Sequence, residues 1–386
     1  MKTAFPRFAL WNLGFRPFYL VASLFSAVSV ILWAAQFSGY LPSPYPENQL
    51  WHAHEMLFGY TVAVIAGFLL TAVRAWTGEP TAQGAPLMAL VALWICGRIL
   101  VLTPMALTAA IVNGAFPLAV ALAIGIPLVR SGNLRNYFFI GLMVLMGALI
   151  FAVHLALRGY YELSPRFGLQ LALDLVLFIM AVMGGRVIPM FTNNGVSGAG
   201  ATRHALVEKI ALGAVIVLFL ADLLLLPQIL VAAVALIGAI AHGARLVMWK
   251  PWRTVSAPLV WVLHAAYAWI VLHLALRGAT SLKLLAGSYA VHALTTGAIG
   301  GLTLGMMTRT ARGHTGRPLI ADRFEVSMFV LIQVAAIIRV FGAMAAPILY
   351  LPSIQISGVL WATAFCLYLV RYWPVLTQPR LDGKPG

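Results

Sequence analysis

Apolar stretches of about twenty residues, each bounded by Pro, Gly, Asn or a charge, follow one another along nearly the whole 386-residue chain. A helix rises about 1.5 Å per residue and the hydrocarbon core of a bilayer is about 30 Å thick, so each stretch is long enough to cross it. The pattern predicts twelve spans, over 15–38, 51–73, 85–107, 109–129, 135–157, 168–192, 206–226, 228–249, 257–277, 287–309, 322–346 and 351–373. The expectation is an all-α integral membrane protein of about twelve transmembrane helices, one polytopic domain over 1–386 with no sizeable soluble part. The basic start runs into the first span without a small-residue cleavage site, so that span is expected to stay in the mature protein.

Composition agrees: 62% of residues are hydrophobic and 9% charged, against about 25% charged in soluble domains. The net charge of +15 does not point to nucleic acid, because the basic residues sit singly in short connectors rather than on one face. Of the 25 lysines and arginines, eighteen, Lys2 and Arg7 among them, fall on the side of the termini. Four (Arg158, Arg166, Arg277, Lys283) fall on the other, and Arg98, Arg186 and Arg339 lie within spans. The positive-inside rule places both termini in the cytoplasm and the connector around Glu47 outside. Two cysteines, Cys96 and Cys366, lie inside apolar runs. They offer no disulfide framework or thiolate zinc motif and are expected as buried structural thiols.

The chain also resembles itself. His154-Leu-Ala-Leu-Arg158-Gly159 recurs as His273-Leu-Ala-Leu-Arg277-Gly278. Gly184-Gly185-Arg-Val-Ile-Pro-Met190-Phe-Thr192 matches Gly300-Gly301-Leu-Thr-Leu-Gly-Met306-Met-Thr308, and Ala66-Gly67-Phe-Leu-Leu-Thr holds the corresponding place in span 2. A period of about four spans predicts three parallel four-helix units, approximately 1–130, 131–250 and 251–386.

Eight of nine histidines lie in or at the edge of spans, where ionisable groups are costly and usually partnered. Sidedness puts His52, His54, His154, His273 and His292 in the outer leaflet and His242 and His264 in the cytoplasmic half. His204 sits beside a charged connector and His314 in a loop. Neutral imidazole is a common axial ligand of haem iron and a good copper ligand. His54-x-x-x-x-Gly59 and His292-x-x-x-x-Gly297 place a histidine and a small residue at matching depth, which makes His54 and His292 the leading ligand candidates. His52 and His54 face nearly opposite ways on a regular helix and are not expected to share a metal. His154 and His273, each followed four residues later by Arg, read as rim residues, and His204 and His242 as structural. Glu55 and Asp174 are rare intramembrane carboxylates, suited to relaying protons or orienting an imidazole; Glu55, beside His54, is the expected catalytic proton donor. No Walker loop, GxGxxG, CxxC or HExxH occurs.

Several long motifs in order carry a resemblance to the NnrS family along nearly the whole chain. They are Gly14-Phe-Arg-Pro-Phe, Trp51-His-Ala-His-Glu-Met-Leu-Phe-Gly59, Ala66-Gly-Phe-Leu-Leu-Thr-Ala-Val73, Trp76-Thr-Gly78 and Gly185-Arg-Val-Ile-Pro-Met-Phe-Thr192. Further on come Leu263-His-Ala-Ala-Tyr-Ala-Trp269, His292-Ala-Leu-Thr-Thr-Gly-Ala-Ile-Gly-Gly301 and Met307-Thr-Arg-Thr-Ala-Arg-Gly-His-Thr-Gly-Arg-Pro318. Arg74-Ala75 stands where a Pro-Asn-like pair is expected. The resemblance implies a multi-pass protein of the bacterial inner membrane containing haem, of b type, and copper. It further implies nitric oxide or a similar small gas as ligand, a separate electron donor, and a role in nitric oxide metabolism or resistance. The three units are similar to the pseudo-threefold, twelve-span bundle of haem-copper oxidases. On that comparison His54 and His292 are haem ligands, and His52 and His264 are next in line for haem or copper. The basic loop after span 10, through Arg309 and Arg317, is either a positive-inside anchor or a site for propionates or other anions. Two other functions stay open: a transporter, which the repeats and Arg98, Arg186, Arg339 and Asp174 also suit, and a non-catalytic haem sensor.

Overall fold

The computed structural model describes residues 8–42, 48–160, 162 and 164–384; Lys2, Arg7 and the connector around Glu47 lie outside them. Among the described residues there is no strand, and twelve long helices follow one another. They are α1 Phe15–Phe37, α2 Gln49–Thr77, α3 Ala85–Val101, α4 Ala106–Arg130, α5 Phe138–Ala156 and α6 Pro165–Gly195. The second half comprises α7 Ala205–Leu223, α8 Gln228–Met248, α9 Pro258–Ser281, α10 Gly287–His314, α11 Arg323–Gly342 and α12 Pro347–Thr377. Ten are long and apolar enough to cross a membrane. The third expected span ends at Val101 rather than near 107, because Pro104 has no N–H to continue the ladder and its ring disfavours helical backbone at Thr103. The other helix outside the ten, α7, is as apolar but carries three charged residues, Glu208, Lys209 and Asp222.

Hydrogen bonds between helix ends show which ends share a face. Ala9 N–H donates to Thr377 O (2.8 Å), Gly84 N–H to Trp11 O (2.9 Å), Leu381 N–H to Thr315 O (3.1 Å) and Asn133 Nδ2 to Trp76 O (3.2 Å). These gather both ends of the described chain on one face, here the termini face. On the far face Gln355 Nε2 donates to Ser38 Oγ (3.0 Å), joining the end of α1 to the start of α12.

Lipid as solvent explains which residues point where. On α4, Leu107, Ile111, Leu118, Leu122 and Ile126 are exposed while Val120, Ile124 and Leu128 are buried, so both sides of the helix are apolar. Polar groups turn inward instead, where they find partners. Arg245 on α8 grips Glu208 on α7 through Nε and Nη2 (3.0 and 2.9 Å), and Arg312 on α10 grips Glu325 on α11 (2.5 Å). Cys96 and Cys366, expected to be buried, are free thiols exposed on α3 and α12, where a small apolar side chain suits lipid as well as a core.

Two helices depart from α geometry at matching places. The α2 helix is π-helical over Glu55–Thr61 and α10 over Ala293–Ile299, each starting one residue after a histidine, and α11 has a third such segment at Ile338–Gly342. Such segments recur at functional sites because they release backbone groups from the regular ladder. Here the Gly59 carbonyl accepts from Trp94 Nε1 (2.9 Å). The two glycines four residues further on do permit close approach, but to neighbouring side chains. A Cβ on Gly297 would lie 2.3 Å from Trp269 Cγ, and one on Gly59 2.7 Å from Arg98 Nη1. Gly297→Ala should therefore cost about 2–3 kcal/mol through overpacking. Gly213→Ala, in α7 with nothing within 4 Å of the new carbon, should be neutral or stabilising by up to about 1 kcal/mol. Thermal melts of the detergent-solubilised variants check this order; equal effects would contradict the packing argument.

Candidate functional site

The helix ends on the far face leave a chamber of about 560 Å³. Trp33 of α1, His52, Met56 and Tyr60 of α2, His292 and Thr295 of α10, Arg339 of α11 and Tyr350 of α12 line it. Its wall is mainly apolar with a few convergent polar groups, and its size is ordinary for a drug-sized or cofactor ligand. The His52 ring lies flat on Trp33 (centroids 3.9 Å apart, 17° between planes), and its Nδ1 is buried with no hydrogen-bond partner. His292 Nδ1 donates to Ser288 O one turn back (2.7 Å). That bond fixes the tautomer and leaves Nε2 with a free lone pair. Arg339 is 6% exposed, is hydrogen bonded to Tyr350, and has no carboxylate within ion-pair distance among the described residues. Arg166, at the exposed start of α6, is a second cation in the chamber wall.

His54 is elsewhere. Two residues from His52, it points away from this chamber as helix geometry requires, and meets His154 of α5 with the two Nε2 atoms 3.0 Å apart. Both line a second cavity of about 410 Å³ between α2, α3, α4 and α5. Behind His54, Nδ1 donates to Glu55 Oε1 (2.7 Å), and the same oxygen accepts from Arg98 Nη1 of α3 (2.8 Å). Arg98 is held in turn by Asn113 of α4, whose Nδ2 donates to Ala109 O (2.8 Å). With Nδ1–H committed to Glu55, the lone pair of His54 is on Nε2, facing His154. Two imidazoles converging on one point, oriented by a buried carboxylate, match the usual support of a metal-binding histidine. Among the described residues no group of three His, Cys, Asp or Glu is placed to hold a metal ion, so this is a two-histidine arrangement.

The remaining expected residues fall apart from these cavities. His264 Nε2 bonds Thr192 Oγ1 (2.8 Å) beside Trp249 and lines neither chamber. Arg309 stacks over Phe191 (3.9 Å to the centroid). It lies about 25 Å along α10 from His292 at 1.5 Å per residue, and Arg317 lies beyond the end of the same helix, so neither reaches the chamber. Glu55, expected as a proton donor, is a carboxylate already shared between a histidine N–H and a guanidinium, which is the geometry of an orienting acceptor. His242 is held between Tyr267 OH (2.6 Å) and Ala211 O (3.2 Å) and lines neither cavity. Sequence reasoning missed His154 as a partner of His54 and Arg339 as a chamber cation. The outer-leaflet depth of the first and the intramembrane charge of the second were the available signals.

The fold and these two histidine-lined cavities define a multi-pass helical membrane protein with converging imidazoles near one face. The family model described as NnrS protein matches residues 9–380, and the chain belongs to the NnrS family, which links it to nitric oxide. The comparison with curated proteins gives no match.

Proposed function

We propose that the protein binds haem in the larger chamber through His52 and His292, holds a copper ion between His54 and His154, and takes up nitric oxide there. The observation that carries this reading is the coincidence, in one mainly apolar chamber, of two imidazoles with uncommitted nitrogens and the cation Arg339, which has no carboxylate partner among the described residues. Imidazole is a common ligand of haem iron, the ring would sit in an apolar slot, and the propionates would pair with cations. Bound haem supplies an iron that takes small gases as ligands. The chain's own part is to hold His292 in one tautomer through Ser288 O, to stack His52 on Trp33, and to offer Arg339 and Arg166 to the propionates. The second cavity suits copper because imidazole is a good copper ligand and the pair needs no thiolate.

The uneven basic charge supports a termini face in the cytoplasm, with both cavities toward the outside, in keeping with a bacterial inner membrane. Nitric oxide, small and uncharged, enters such a site through lipid without an aqueous channel. The π segments of α2 and α10, each one residue after a histidine, support a kinship between the first and last of the three sequence units. The test is to titrate reduced purified protein with nitric oxide. A shift of the haem absorption saturating at one nitric oxide per haem is expected, and a spectrum indifferent to nitric oxide overturns the reading.

A further inference from the structure

Beside the larger chamber, three helices bring four ionisable side chains together inside the membrane. Arg277 of α9 donates from Nη1 to Asp174 Oδ1 of α6 (2.5 Å) and from Nη2 to Asp222 Oδ2 of α7. Asp174 is 0% exposed, and its Oδ2 is buried with no hydrogen-bond partner. His273, one turn before Arg277, is 2% exposed; its Nδ1 donates to Ala290 O, its Nε2 is buried with no hydrogen-bond partner, and the ring lies close enough to Arg277 and Asp222 to feel their charge. From α8, His242 lies close enough to His273 to feel its charge.

Charge counting decides what such a cluster needs. Two carboxylates against one guanidinium leave one excess negative charge, because His273, with Nδ1–H bonded to a carbonyl and Nε2 enclosed, is neutral. An uncompensated buried charge costs several kcal/mol, and intramembrane carboxylates are functional by default. A metal ion is a poor occupant, since Arg277 already stands between the acids. A proton neutralises the cluster and, alone among ligands, needs no cavity.

The placement is graded. Asp222 is the last residue but one of α7, near the far face, and its side chain is 13% exposed, whereas that of Asp174 is 0% exposed. One turn from Asp174, Gln170 donates from Nε2 to Asp174 Oδ1 (3.1 Å) and itself lines the larger chamber. We propose that Asp174 and Asp222, bridged by Arg277, form a proton-binding site that takes protons from the far face and delivers them to the larger chamber. Asp174 also lies within hydrogen-bonding reach of Asp222, so when the proton passes inward the O–H bond on Asp222 breaks as one forms on Asp174, and the pair holds one proton during that transfer. Release toward the chamber on the Gln170 side leaves one negative charge, and uptake at Asp222 restores neutrality. The destination of the proton rests on the chamber being the reactive site; the proton-binding pair does not.

Infrared difference spectroscopy of the protein in lipid nanodiscs tests the pair directly. At pH 7, where a solvated aspartate is fully ionised, the unmodified protein should show the C=O stretch of a protonated carboxyl. The band should move in deuterated water and on labelling with carboxyl-¹³C aspartate. Asp174→Asn and Asp222→Asn should each abolish it, because either change leaves one carboxylate neutralised by Arg277. The isotope shifts need no substitution, so a variant that folds badly does not decide the matter. Absence of the band from the unmodified protein, its indifference to labelled aspartate, or its persistence in either folded variant overturns the proposal. The band is independent of haem, so a colourless protein that shows it would sink the haem reading and leave the proton site standing.

Discussion

His292→Ala is expected to abolish the Soret band of the purified protein, and His52→Ala to abolish or shift it, while His54→Ala and His264→Ala leave it in place. The two chamber histidines differ in how firmly they are held. The Ser288 carbonyl fixes His292 as an Nε2 acceptor, whereas His52 is held by stacking on Trp33 and keeps a nitrogen free of any bond. Loss of the first removes a pre-oriented ligand, so it carries the larger effect. His54 is occupied by His154 and Glu55 in a separate cavity and His264 by Thr192 on another helix pair, so their loss does not touch the chamber. Each variant is read by its absorption spectrum and by haem per chain. A Soret band that survives His52→Ala and His292→Ala together but disappears in His54→Ala would move the haem to the other cavity.

Glu55→Gln should weaken copper binding 10- to 100-fold without changing haem content. A carboxylate that accepts the Nδ1–H of a ligating imidazole fixes its tautomer and raises its basicity, and losing it typically costs that much affinity. Glutamine keeps the size but presents a neutral amide to His54 and strands Arg98, whose Nη1 lies 2.8 Å from the Glu55 oxygen. His154→Ala removes the second nitrogen and should abolish copper binding. Metal analysis after dialysis against a graded chelator reads both. Unchanged copper with slowed nitric oxide turnover in Glu55→Gln would instead make Glu55 the proton donor and contradict the orienting role.

The spans were legible because lipid admits a single solution for each apolar stretch, a helix with its backbone bonds satisfied internally. The depth of the histidines followed from the same register, and five of them do cluster near one face. Which of them meet was not legible. His54 and His154 are 100 residues apart in sequence, and a motif at matching depth in two helices does not say which side of each helix faces the other. His54 and His292 therefore looked like partners, yet the structure pairs His292 with His52 around one chamber. The difference comes from rotation about the helix axis, where a step of two residues reverses the direction. Arg98, Arg339 and Arg277 were visible as intramembrane or near-rim charges, but their partners come from other helices. The π segments carry no pattern in hydropathy at all, since they change hydrogen bonding without changing composition. Cys96 and Cys366 were misread for a related reason: in lipid, an apolar position is as often outside as inside.

The central claim, that this chain carries haem between His52 and His292, is tested most directly by the absorption spectrum and iron content of the intact protein purified in mild detergent from cells supplied with a haem precursor. The account predicts a Soret band that sharpens on reduction and an iron content set by one haem per chain. A folded, monodisperse protein that is colourless and free of iron would contradict it and leave the chamber to a transported solute.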